Sequence, residues 1–133
     1  MKRADVERWL DSYVEAWRTY DPAQIEALFS EDIEYRFHPY DAPVVGRDAV
    51  VEAWLGEGEH VGASERDEPD TYDARYAPVA IDGDVAVATG SSTYFTEPGG
   101  GVEKIYDNCL VIRFDADGRC REYTEWYMRR PDA

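Results

Sequence analysis

The chain has 133 residues, 44% hydrophobic and 14% aromatic, which suffices for one domain with a packed core and argues against disorder. Twenty-nine acidic against 14 basic residues give a formal charge of −15, which excludes nucleic acid and anionic membrane surfaces as partners, because phosphate contacts need a basic stripe. No apolar run approaches the roughly 20 residues of a membrane-spanning helix, and the charged start "MKRADVER" lacks a signal-peptide core, so a soluble, cytoplasmic protein is expected.

From Asp5 to about Thr19, the apolar residues Val6, Trp9, Leu10, Tyr13, Val14 and Trp17 fall on the stripe of an amphipathic helix, with Asp5 as its N-cap. "YDPAQIEALF" starts a second helix: Asp21 caps, Pro22 fits the first turn, Gln24 takes the capping-box position, and Ile25, Leu28 and Phe29 face inward. "DIEYRFH" then switches to period two, with Ile33, Tyr35 and Phe37 alternating against Glu34, Arg36 and His38. After the loop "PYDAPVVG", "RDAVVEAWL" predicts a short third helix burying Val50, Val51, Trp54 and Leu55. Residues 56–71 are Gly-rich and acidic, a loop or frayed helix suited to a pocket lid, and His60 within it is expected to be solvated.

Four strand-like runs follow, at about 72–81, 85–96, 102–114 and 119–128, separated by Asp82-Gly83-Asp84, Pro98-Gly99-Gly100-Gly101 and Asp115–Gly118. Three helices and a short strand before an antiparallel meander make the fold class α+β, in a single domain over residues 1–133. Folding the last two strands about Asp115–Gly118 places Cys109 near Thr124 or Trp126 and Cys120 near Arg113 or Asp115, too far apart for a disulfide. Directly opposed residues of an antiparallel pair share a face. Tyr123, Glu125 and Tyr127 therefore lie beside Tyr106, Asn108, Leu110 and Ile112, while Cys109, Val111, Trp126 and Met128 form an apolar patch on the opposite face.

The order of "AWRTYDPAQIEALFSEDIEYRFHP", "GRDAVVEAW", "VIRFD" and "GRCREYTEWYM" resembles the NTF2-like superfamily, and within it the SnoaL-like branch. The resemblance covers nearly the whole chain. It implies a cone-shaped α+β barrel, in which a curved, mainly antiparallel sheet wraps three N-terminal helices around an apolar pocket, commonly in a homodimer. It does not imply one reaction, since the superfamily includes isomerases, polyketide cyclases, dehydratases and members without known activity. Carried over by position from the steroid-isomerase branch, the first-helix oxyanion donor falls on Tyr13. The general base falls on Phe37 or His38, and the second oxyanion donor on Leu110. Tyr35 is similar in position to a pocket tyrosine of the scytalone-dehydratase branch, whose two histidines have no counterpart here.

With Leu110 on the concave side, the face carrying Tyr106, Asn108, Tyr123, Glu125 and Tyr127 becomes the expected pocket wall. Glu125 is then a carboxylate among tyrosines whose desolvation suits it to acid–base work; the alternative is an ion pair with Arg18, Arg36 or Arg121. Tyr13 reads either as an oxyanion donor or as a core tyrosine. His38 suits acid–base chemistry, but alternation sets it opposite Tyr35 and Phe37, and a bulge before Pro39 is needed to turn it inward. Trp17, Tyr35, Phe37 and Trp54 are candidates for the pocket wall or for plain core. Two histidines without ligand spacing point to no metal, and no cofactor is expected. The sequence thus suggests a cofactor-free isomerase, cyclase or lyase acting on an apolar small molecule. A ligand-binding protein without turnover and a dimerisation domain with a filled pocket remain as the other readings.

Overall fold

A computed structural model describes residues 1–57 and 66–132. Helix α1 spans Arg3–Thr19 and buries Val6, Trp9, Leu10, Tyr13 and Ala16, the inner edge of the expected stripe; Val14 and Trp17 are half-buried at its margin. Lys2, not Asp5, is the N-cap. Asp5 sits three residues in and its carboxylate reaches back to the Lys2 amide at 3.0 Å, closing the first turn from inside. Helix α2 (Pro22–Leu28) starts as its chemistry requires, with the Asp21 carboxylate accepting from the Ala23 amide at 2.9 Å. Gln24 instead accepts from the Thr19 hydroxyl. Phe29 was expected on this helix but opens strand β1 (Phe29–Arg36), because its backbone pairs with Cys120 of the last strand; its ring is fully buried all the same.

Val44–Val45, expected as loop, forms a two-residue strand β2 that pairs antiparallel with Glu34 and Tyr35. Helix α3 (Arg47–Trp54) follows and buries Val50, Ala53 and Trp54, leaving Val51 and Leu55 at the core's margin. Strands β3 (Tyr72–Asp82), β4 (Val85–Phe95), β5 (Val102–Phe114) and β6 (Cys120–Arg129) form the antiparallel meander. The sheet order is β2-β1-β6-β5-β4-β3, with β1 parallel to β6. Three helices are thus held by a six-stranded mixed sheet that stays open, with β2 and β3 as its edges, an α+β architecture as expected.

The β5–β6 register pairs Ile112 with Tyr123, Leu110 with Glu125 and Asn108 with Tyr127, the sharing of faces that strand alternation requires. Cys109 lies opposite Trp126 and Cys120 opposite Phe114, and both thiols are free. Trp9 stands at the centre of the core. It stacks on Tyr13 with centroids 5.5 Å apart, meets Phe29 and Phe114 edge-on, and donates its indole N–H to the Leu28 carbonyl at 3.1 Å. This aromatic packing pins α1 to the concave face and sets the depth at which Tyr13 can reach.

Candidate functional site

Between α1, α3 and the concave face lies a cavity of about 690 Å³. Seven of the ten tyrosines line it: Tyr13, Tyr20, Tyr35, Tyr76, Tyr94, Tyr106 and Tyr127. Helix α1 supplies Tyr13 and Trp17, and α3 supplies Trp54, because the stripes that bury these helices face the sheet. Among the described residues, the buried Trp54 indole N–H meets no acceptor at hydrogen-bond geometry.

The polar floor is a chain of side chains running across three strands. Ser92 on β4 donates its hydroxyl to Oδ1 of Asn108 at 3.1 Å, which turns the amide nitrogen toward β6. Nδ2 of Asn108 then donates to Oε2 of Glu125 at 2.7 Å. Oε1 of Glu125 lies 3.3 Å from the Tyr123 hydroxyl, which is itself 2.9 Å from the Tyr13 hydroxyl. Ser92 and Asn108 are two of the three buried polar residues among those described, and both belong to this one array.

Glu125 remains partly accessible through the cavity but is walled by rings. Burial pushes its carboxyl up to about 7, and the donations from Asn108 and Tyr123 oppose that rise. Among the described residues no ion pair reaches it: Arg18 is bound to Glu15, and Arg121 to Asp84 and Glu122. Burial also raises Tyr35, Tyr76 and Tyr123 far above an ordinary phenol, and negative charge on Glu125 raises them further. Tyr13 is raised by burial, then by Tyr35 and by Glu125. All four rings stay protonated at neutral pH and are available as hydrogen-bond donors.

The outer half of the cavity is a belt of rings with three charges. Tyr106 meets Tyr94 and Tyr127 edge-on at centroid distances of 5.8 and 5.6 Å. The Lys104 ammonium lies 5.1 Å from the centre of Tyr94 and 5.7 Å from that of Tyr106. Arg66 rests over Tyr20, and Asp67 accepts from the Trp17 indole at 3.0 Å. Tyr76 owes its position to Gly90, directly opposite on β4: a Cβ at residue 90 would stand 2.7 Å from the Tyr76 ring and 1.8 Å from the Arg75 carbonyl oxygen.

Of the residues singled out from the sequence, Tyr13, Trp17, Tyr35, Phe37, Trp54, Tyr106, Asn108, Glu125 and Tyr127 come together around this cavity. Three do not. Leu110 is fully buried in the core cluster and does not line the cavity, although it pairs with Glu125. Tyr123 is also fully buried, behind the lining, stacked on Tyr35 with centroids 4.4 Å apart. His38 lies outside the cavity lining, against Tyr40 and Tyr127, because β1 has already ended at Arg36 and no ladder directs its side chain toward the sheet's inner face. His60 lies outside the described residues.

Tyr20, Ala53, Arg66, Asp67, Tyr76, Ser92, Tyr94 and Lys104 line the cavity without having been singled out. The alternation rule, carried on from β5 to β4 and β3, finds Lys104, Ser92, Tyr94 and Tyr76, since Tyr106 pairs with Ser92, Lys104 with Tyr94, and Gly90 with both Asn108 and Tyr76. No local signal marks Tyr20, Arg66 or Asp67. Among the described residues no group of three or more His, Cys, Asp or Glu side chains could hold a metal ion, and no helix is long and apolar enough to cross a membrane.

A family model for the SnoaL-like domain matches residues 10–123. No curated protein matches the chain.

Proposed function

The chain belongs to the SnoaL-like domain family, part of the NTF2-like superfamily, and on that premise we propose that its cone is a small-molecule site for cofactor-free acid–base catalysis. The reaction class is isomerisation, cyclisation or elimination on a largely apolar substrate. One observation carries the reading: the Glu125 carboxylate is fixed by Asn108 at 2.7 Å inside an aromatic cavity, and among the described residues no ion pair reaches it. A carboxylate in such surroundings is a far stronger base than one in water, since taking up a proton relieves the cost of burying its charge. In this role Glu125 removes a proton from carbon beside a substrate carbonyl and later returns it. Tyr13, from the cavity floor, donates to the oxygen on which negative charge develops.

A cavity of about 690 Å³ counts against a cone filled by its own side chains. The reading extends to a cytoplasmic homodimer. The two free thiols support a reducing compartment. On the convex face, Trp126 and Met128 are 44% and 76% exposed beside Cys109 and Val111, an apolar surface that a second copy would cover.

The test is proton–deuterium exchange into 2-tetralone, a small aromatic ketone with acidic carbon-bound protons, followed by NMR. The wild-type protein is expected to accelerate exchange over buffer, and Glu125→Gln to remove about a hundredfold or more of that rate. Saturable 2-tetralone binding with no acceleration would make this a binding protein and not an enzyme.

A further inference from the structure

We propose that Tyr123, which never reaches the cavity, is a positioning residue that reverses the hydrogen bonding of Tyr13 when Glu125 gains or loses a proton. Tyr13 then offers its proton to a bound oxygen only after Glu125 has taken one up. The inference rests on Glu125 as the proton acceptor of the site.

The geometry leaves little freedom. The Tyr123 ring is fully buried, stacked on Tyr35, with its hydroxyl 2.9 Å from that of Tyr13 and 3.3 Å from Oε1 of Glu125. A phenol has one proton to give. When Glu125 is ionised, Oε2 accepts from Asn108 and Oε1 accepts from Tyr123. The Tyr123 oxygen then accepts from Tyr13, whose only proton points away from the cavity. In that state Tyr13 meets a ligand with lone pairs alone.

Protonation inverts the chain. The incoming proton is disfavoured on Oε2, because an acid's hydroxyl oxygen accepts the Asn108 N–H less well than its carbonyl oxygen does. It belongs on Oε1, which becomes a good donor and a poor acceptor, and turns toward the Tyr123 oxygen. Tyr123 then donates to Tyr13, and the Tyr13 proton is released toward the cavity. No heavy atom needs to move. In a turnover, the substrate C–H bond breaks, the proton binds Oε1, and the electron pair moves to the carbonyl oxygen. The Tyr13 donor thus appears as that oxygen becomes negative, and Tyr13 itself transfers no proton.

The groups that feel the charge on Glu125 are Tyr13 from α1, Tyr35 from β1, Tyr76 from β3, Tyr94 from β4, and Tyr123 and Tyr127 from β6. Lys104, Arg66 and Asp67 share the cavity without contributing to the rise at Glu125. This array supplies an internal control. Glu125 leads the charges acting through space on Tyr35, Tyr76 and Tyr123, whereas at Tyr13 the neighbouring Tyr35 comes before it. A relay through Tyr123 adds its own step at Tyr13.

The experiment is NMR of the whole protein carrying carbon-13 at the tyrosine ζ and glutamate δ positions, titrated from about pH 5 to about pH 9. Expected is a step in the Tyr123 and Tyr13 ζ-carbons at the Glu125 midpoint, larger than the steps of Tyr35 and Tyr76. In Tyr123→Phe, Glu125 still titrates but the Tyr13 step falls by more than half. A Tyr13 signal that ignores Glu125, one that follows it equally in Tyr123→Phe, or a Glu125 that does not titrate in this range would each overturn the inference. Should the Phe variant not fold, the wild-type Tyr13 step measured against those of Tyr35 and Tyr76 decides. Coupling without 2-tetralone exchange would remove the catalytic reading and keep the relay; exchange without coupling would do the reverse.

Discussion

Leu110 stands directly opposite Glu125 in the β5–β6 ladder, yet the group that meets the carboxylate is Asn108, the next residue along the same face, at 2.7 Å. The contact is a diagonal one, and it exists because the Asn108 amide is already oriented by Ser92 on the next strand. The site is therefore built from three adjacent strands, and its parts are separable by substitution.

Asn108→Leu removes the donor that most opposes the rise at Glu125. A hydrogen bond to a charged group contributes about 2 kcal/mol, so the Glu125 midpoint is expected to climb by about one unit or more. Carbon-13 titration of the Glu125 carboxyl measures this directly. An unchanged or lower midpoint would show that the amide does not stabilise the charged form.

Glu125 should also impose a pH dependence on stability. Its folded value of about 7 lies above the ordinary 4.5, so the folded state holds this proton more tightly than the unfolded one. The stabilisation is complete below about pH 4.5 and is lost as pH rises to about 7, a total of about 3 kcal/mol. In Glu125→Gln this component of the pH profile disappears, and the variant gains stability over wild type at pH 8 more than at pH 5. Urea unfolding at the two pH values, compared between the proteins, is the check; parallel profiles would refute it.

Gly90→Ala tests how Tyr76 is placed. The new methyl meets a backbone carbonyl at 1.8 Å as well as the Tyr76 ring, so the β3–β4 edge has to shift. A loss of about 3 kcal/mol is expected from such overpacking. A wild-type urea midpoint would mean that the two strands lie farther apart at this point.

Lys104 brings a cation to a wall of rings, with its charge over Tyr94 and Tyr106. A flat aromatic ligand with an acidic tail is expected to bind more tightly than its neutral counterpart. With 1-pyrenebutyrate and 1-pyrenebutanol as the pair, a preference of about tenfold corresponds to about 1.4 kcal/mol. Lys104→Gln should abolish the preference while leaving the alcohol unaffected. Equal fluorescence titrations of both ligands on the wild type would remove Lys104 from ligand selection.

The convex patch makes its own prediction. Trp126→Glu together with Met128→Lys places charge where a second copy would sit, on residues already 44% and 76% exposed. Sedimentation should show a dimer for wild type and a monomer for the double variant, with the Glu125 titration unchanged. A monomeric wild type at micromolar concentration would dispose of the dimer.

Much of this site was legible before any coordinates, and the reason is locality. The period of two along Tyr123, Glu125 and Tyr127, with the turn at Asp115–Gly118, sets which residues of two neighbouring strands share a face, so Asn108 and Glu125 were placed together from the sequence. The α1 stripe placed Tyr13 and Trp17 in the same way. The tertiary structure decided what depends on distant partners. That β1 runs parallel to β6 follows from a pairing across most of the chain. Tyr123 sits behind the wall and not in it because the Tyr35 ring stacks over it, and Tyr20 meets Asp67 across 47 residues. Alternation determines the face of a side chain; only the packing of helices against the sheet determines whether that face, at that depth, opens onto space or is filled.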